Sequence, residues 1–139
     1  MHGRVHWLDQ FRYGFSAERF YIRVDVVDGA LAALQDAEFR ITLRGDEELR
    51  IVLHVREGKL CDQHIETKET CLWGPQDAVL AACDRILEVS VARKLVRLGK
   101  RNSFALVVAL WEGGLPVDLL PAEGSFEVAL GEDHFAWAT

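Results

Sequence analysis

No stretch of this sequence is apolar for long enough to cross a bilayer. The longest runs, such as Phe104 to Trp111, fall far short of the ~20 residues a spanning helix needs. A clustered basic surface is missing too. The 139 residues carry 16 Lys and Arg against 22 Asp and Glu, a formal net charge of −6 with the acids scattered, which disfavours nucleic acid as a partner. There is no secretory signal with a basic start and an apolar centre. Cysteine is scarce and odd in number. Cys61, Cys71 and Cys83 include no Cys-x-x-Cys pair, so free thiols acting as small hydrophobes in a reducing, cytoplasmic setting are expected, a Cys71–Cys83 bridge in an exported protein being the alternative. Internal repeats, low-complexity segments and convincing helical periodicity are absent as well. A soluble single domain over 1–139 fits this length. The abrupt opening Met1-His2-Gly3 also fits a domain cut from a longer parent.

What is present is a burial rhythm of period two. In the stretch from Phe11 to Val27, Phe20, Ile22, Val24 and Val26 alternate with Tyr21, Arg23 and Asp25, so an extended chain puts the two sets on opposite faces. A polar break after Gly14, at Ser16-Ala17-Glu18, joins this strand to an earlier run from Val5 to Tyr13 as a hairpin. Phe39, Ile41 and Leu43, then Leu49, Ile51, Leu53 and Val55, repeat the device on either side of Gly45-Asp46-Glu47. Gly29 to Asp36 reads as a connection, and Lys59 to Thr67 as a more polar strand near an edge. Trp73-Gly74-Pro75-Gln76-Asp77 reads as a turn. Val79 to Arg93 suits an amphipathic helix or a strand; the reading preferred is a strand from about Arg85 to Val91, then a helical turn from Arg93 to Leu98 ended by Gly99. Phe104 to Trp111, apolar on both faces, predicts a mid-sheet strand covered on both sides. Leu115 to Leu120 and Phe126, Val128 and Leu130 supply the last two. Many short strands separated by turns predict an all-β fold: an antiparallel β-sandwich, jelly-roll or immunoglobulin-like, with at most one or two short helical turns.

Candidate chemistry is thin. His54, His64 and Glu66 can converge across neighbouring strands, but no second paired motif with ligand spacing accompanies them, and solvent-facing polar positions are the expected role. His2 and His6 carry no better signal. Asp25 and Asp28 near a strand end could offer oxygens to calcium, with a turn carboxylate as the default. No metal, cofactor or catalytic constellation is expected. The aromatics lead further. Trp73 in its Gly-Pro turn and Trp111 at the end of its strand can present flat rings to a sugar, with Glu112 and Asp77 as hydroxyl partners; core completion is the alternative for Trp73, Trp111 and Trp7 alike. Arg40, Thr42, Arg44, Arg50, His54 and Arg56 predict a cationic outer face, solvated or docked on an acidic partner.

Arg12-Tyr13-Gly14-Phe15 followed by Phe20-Tyr21-Ile22-Arg23-Val24-Asp25 resembles the hairpin that opens the C-terminal β-sandwich of glycoside hydrolase family 57 proteins. Ile86 to Val91 with Leu95 and Leu98-Gly99, Phe104 to Trp111, and Leu120-Pro121-Ala122-Glu123-Gly124-Ser125-Phe126-Glu127-Val128 are similar to later segments of that module, as Met1-His2 is to its start. Gly29 to Ala82 matches only in pattern. The resemblance implies kinship with DOMON-like and family 9 carbohydrate-binding sandwiches, which bind sugars or haem. It implies a non-catalytic accessory domain of an α-glucan-processing hydrolase, partnered by glucan or oligosaccharide and by the parent's catalytic domain. The parent's catalytic acids lie in a separate barrel, so no activity carries over. A structural module packing on the catalytic domain or forming a homodimer is the second expectation, with an apolar patch at Trp7 or Trp111. Haem binding through two histidines is the third, Met1 being the only methionine.

Overall fold

The computed structural model describes residues 7–84, 86–96, 98–99 and 102–129. Among these residues eleven strands run in chain order: β1 (Leu8–Phe15), β2 (Arg19–Val26), β3 (Asp36–Arg44), β4 (Glu48–Arg56), β5 (Lys59–Glu66), β6 (Cys71–Trp73), β7 (Val79–Cys83), β8 (Ile86–Ala92), β9 (Ser103–Glu112), β10 (Leu115–Leu120) and β11 (Phe126–Ala129). A four-residue helix, α1 (Ala30–Ala33), and a 3-10 turn (Arg93–Leu95) accompany them among the described residues. The expected antiparallel sandwich is what forms. Among the described residues no helix is long and apolar enough to cross a membrane.

Two sheets pack face to face. One has four strands in the order β1-β2-β8-β7; the other has seven, β10-β9-β3-β4-β5-β6, with β11 also paired to β9. Every paired neighbour is antiparallel. Period two dictates the core: Ala37, Phe39, Ile41 and Leu43 of β3 and Leu49, Ile51, Leu53 and Val55 of β4 are all buried, and Phe20, Ile22 and Val24 face them from β2. Aromatic contacts bridge the sheets, with Phe20 edge-on to Phe104 at 5.0 Å and Phe11 stacked on Phe126 at 4.9 Å.

A polar side chain closes each seam between the sheets. The buried Asp118 of β10 accepts the backbone N–H groups of Trp7 (2.8 Å), Leu8 (2.9 Å) and its own neighbour Leu119 (2.9 Å), tying β10 to the start of β1. On the opposite side the buried Gln63 of β5 donates Nε2–H to the carbonyl of Val79 at the head of β7, 3.3 Å away. Both groups are satisfied where they would otherwise cost stability.

The structure resolves one expectation left open and corrects others. Val79–Cys83 is a strand, β7, paired with β8, because the hairpin partner supplies hydrogen bonds that a lone helical turn would lack. Trp73 is the last residue of the short edge strand β6, opposite His64, and the turn begins only at Gly74. The strand β9 is interior but has only one face in the core; Ala105, Val107, Ala109 and Trp111 look outward, half-buried. The first strand begins at Leu8 and the last ends at Ala129; Val5, Arg85, Leu130, His2, His6 and the Met1-His2 opening lie outside the described residues.

Candidate functional site

The outer face of the seven-stranded sheet is built by the residues that alternate with the core. Glu38, Arg40, Thr42 and Arg44 leave β3 on that side, and Arg50, Val52 and His54 leave β4. On β5 the phase is set by an irregularity: His54 pairs with Asp62 while Val55 pairs with Leu60, so Cys61 is an extra residue, a β-bulge. That insertion turns Asp62, His64 and Glu66 outward and Gln63 and Ile65 inward. The Cys61 thiol donates to the carbonyl of His54 at 3.3 Å, across the same irregularity.

The bulge brings His54, His64 and Trp73 together. Nε2 of His54 and Nδ1 of His64 lie 3.1 Å apart, and Nε2 of His64 lies 2.8 Å from Oε1 of Glu66. The Trp73 ring rests on both imidazoles, 4.2 Å from the centre of His64 and 5.5 Å from that of His54. Val52, flanked by Arg40 and His64 on the neighbouring strands, is only 1% exposed although it points out of the sandwich, so this cluster has an apolar floor. Trp73 itself stays 57% exposed.

Charge on this face is balanced. Arg40 pairs with Glu38 (2.9 Å), Arg44 with Glu48 (2.8 Å), Arg50 with Glu66 (3.4 Å) and Glu48 (3.7 Å), and Arg56 with Asp36 (3.8 Å). The expected cationic face is thus a lattice of alternating signs, because Asp36, Glu38, Glu48 and Glu66 fall on the same period-two positions as the arginines. Each such pair is worth about 0–1 kcal/mol at a surface, so the lattice orders side chains more than it stabilises the fold. Alongside it, Glu48, Arg50, Glu66 and Lys68 line an open recess of about 530 Å³.

Of the four residues expected to bind sugar, two share this face. Trp111 lies opposite Glu38, four strand intervals from Trp73, or about 19 Å at the ~4.8 Å strand spacing. Its ring is covered on one side by the Arg40 guanidinium, 3.8 Å from the ring centre. Glu112 pairs with the buried Ala37 and so falls on the other face of β9. Asp77 sits in the turn before β7, where its carbonyl accepts from Arg19, on the side of the four-stranded sheet. Neither accompanies a tryptophan. Missed by the sequence reading were Glu38, which follows the same alternation as Arg40, and the partnership of His54 and His64 with Trp73, which depends on strand order.

The other candidates disperse. Asp25 accepts from Gln10 (2.7 Å) and Arg23 (2.9 Å), one to each oxygen, and Asp28 is exposed in the following turn. Burial alone would raise the Asp25 carboxyl, but the hydrogen bonds from Gln10 and Arg23, with the charges of Arg23 and Arg12, hold it below its ordinary range. All three cysteines are free. Cys61 and Cys71 are exposed, whereas burial, aided by the charge of Asp84, pushes the Cys83 thiol up to about 11. His54 and His64 touch on an open sheet face, an arrangement that does not set them across a pocket from one another as a haem between two histidines requires. Trp7 and Trp111 are half-buried; among the described residues the large exposed apolar side chains are Leu72 and Trp73 of β6, Leu80 of β7, and Leu115 and Leu119 of β10, with Val27 after β2.

Compared with protein-family models, curated proteins and solved structures, the chain finds no match in any of the three.

Proposed function

We propose that this protein is a non-catalytic carbohydrate-binding sandwich that serves an α-glucan-processing glycoside hydrolase, with Trp73 as the surface on which a sugar ring stacks. The observation that carries this reading is the exposure of Trp73 on a braced strand. An indole left open to water while two imidazoles and the sheet hold its orientation is a preorganised apolar platform. Pyranose rings present C–H faces to such a surface, and their hydroxyls need donors and acceptors at its border. Glu66 and Arg50 supply them here, in place of Asp77 and Glu112, which lie elsewhere. Trp111 extends the platform for a longer chain once Arg40 swings off its ring. The glucan and the hydrolase come from the resemblance of the opening hairpin and closing segment to the family 57 module.

Isothermal titration of the intact domain with maltoheptaose and with glycogen tests the reading. Binding is expected in the micromolar to millimolar range, and Trp73→Ala should weaken it at least tenfold with an unchanged melting temperature. No heat at millimolar ligand would count against it. A second reading, packing on a catalytic domain or on a second copy, is favoured by one feature: Leu72, Leu80 and Leu115 are exposed on the edge strands β6, β7 and β10. Concentration-dependent dimerisation in sedimentation, with no sugar binding, would move the assignment to it.

A further inference from the structure

The two imidazoles beneath Trp73 meet nitrogen to nitrogen, and each has a carboxylate at its far nitrogen. The Glu66 carboxylate accepts, so Nε2 of His64 holds the proton in that 2.8 Å bond, and in the neutral ring the lone pair of Nδ1 points at His54. Nδ1 of His54 lies 3.7 Å from Oε1 of Glu38, and Oε2 of the same carboxylate accepts from Nε and Nη2 of Arg40 at 3.1 and 2.9 Å. The order along the sheet is therefore Glu38, His54, His64, Glu66, with the two inner nitrogens 3.1 Å apart.

From this geometry we infer a binding site for a divalent transition cation of the zinc or copper(II) class, held by Nε2 of His54 and Nδ1 of His64. At metal–nitrogen bonds of ~2.0–2.1 Å, two imidazole nitrogens on one ion are about 2.9 Å apart at right-angle coordination and about 3.3 Å apart at tetrahedral coordination. The observed 3.1 Å lies between these values, so the separation fits without moving the strands, and each ring turns to swing its lone pair off the nitrogen–nitrogen line by up to about 40° towards the ion. A carboxylate hydrogen-bonded to the far nitrogen is the usual partner of metal-bound histidine, fixing tautomer and ring orientation; Glu66 is placed so for His64 at 2.8 Å, while Glu38 faces Nδ1 of His54 at the longer 3.7 Å. Glu66, whose spacing from His64 offered it as a ligand, instead bonds the nitrogen that faces away from the ion and orients the ring.

The proton inventory closes without an added acid or base. His54 donates Nε2–H to His64 in the metal-free pair; on binding, that proton leaves Nε2 and Nδ1 takes one up from solvent, facing Glu38. Two lone pairs then face the cation and no net proton is released. Among the described residues no group of three or more His, Cys, Asp or Glu side chains is placed to hold a metal ion, so water or an outside donor completes the sphere. The site is consequently open and weaker than a four-ligand structural centre.

Long-range proton–nitrogen NMR of the imidazoles during a zinc titration tests this directly, in the full chain with Cys61→Ser and Cys71→Ser removing the exposed thiols. One equivalent of zinc should move Nε2 of His54 and Nδ1 of His64 to metal-bound shifts while His64 keeps its proton on Nε2. His54→Gln and His64→Gln should each abolish that response, and Glu66→Gln should weaken zinc 10- to 100-fold while leaving both ligating nitrogens in place. Zinc that saturates the chain without moving these two nitrogens, or that binds His54→Gln as tightly as the parent, would overturn the inference. The readout needs no sugar, so it stands or fails independently of carbohydrate binding.

Discussion

Cys83 and Asp25 show how single groups are tuned by where the sheet puts them. The Cys83 thiol, raised to about 11, stays protonated at pH 8, whereas Cys61 and Cys71 are open to solvent. Reaction with a chromogenic disulfide at pH 8 should therefore show two fast thiols and one slow, with the slow one lost in Cys83→Ser; three equal rates would contradict the burial. For Asp25 the sign is that of a carboxylate lowered by its partners. Its stabilising effect is complete above the ordinary carboxylate value of 3.8 and disappears as pH falls through the lower folded value. Asp25→Asn should accordingly cost about 1 kcal/mol in urea unfolding at pH 7. That difference should shrink towards zero in strong acid; a gap that persists there would contradict the account. At this scale much was legible. His64 and Glu66, two residues apart, had to share a face of a strand. What hid was Glu38: the arginines of β3 and β4 drew a cationic face, although acids occupy positions of the same alternation.

Among the elements, the hairpins were the most readable and the phase of β5 the least. Gly113 and Gly114, both at positive φ (58° and 83°), form the two-residue turn between Glu112 and Leu115 that their sequence announces. The turn between Arg56 and Lys59 uses the same geometry with a poorer residue, since Glu57 sits at φ 51° ahead of Gly58 at 81°. A side chain other than glycine, asparagine or aspartate is strained there. Glu57→Asn should raise stability by about 0.5–1 kcal/mol in chemical denaturation, and a loss would mean that the Glu57 side chain makes a compensating contact. The ambiguous stretch resolved to the strands β7 and β8 because the whole of β7 pairs with Leu87 to Val91 of β8 and β8 pairs in turn with β2, a tertiary fact that periodicity in so short a segment cannot carry. The bulge at Cys61 is the reverse case. One inserted residue flips every side chain after it to the other face, so a strict two-residue count through β5 fails, and with it the view of which groups surround Trp73.

Taken as a whole molecule, the sandwich is a stiff support for one decorated face. Asp118 and Gln63 fasten its two seams, and Phe20 and Phe104 lock the sheets together. The proposed stacking surface at Trp73 is thus carried by a strand rather than by a loop, where a site keeps its geometry before a ligand arrives. The class of fold followed from alternation alone. The order of strands did not, because sequence says which face of a strand is apolar but not which strand lies beside it; that order is what sets Trp73 against His64 and leaves Asp77 beside the other sheet, whereas Glu112 is turned away from Trp111 by the alternation itself. The claim that this outer face is where the protein works is tested most directly by amide and indole NMR shifts during titration with maltoheptaose. The account predicts saturable shifts at the Trp73 indole and at Arg50, His54, His64 and Glu66, with the core strand β2 unmoved. Shifts confined to the four-stranded sheet, or none at millimolar sugar, would contradict it.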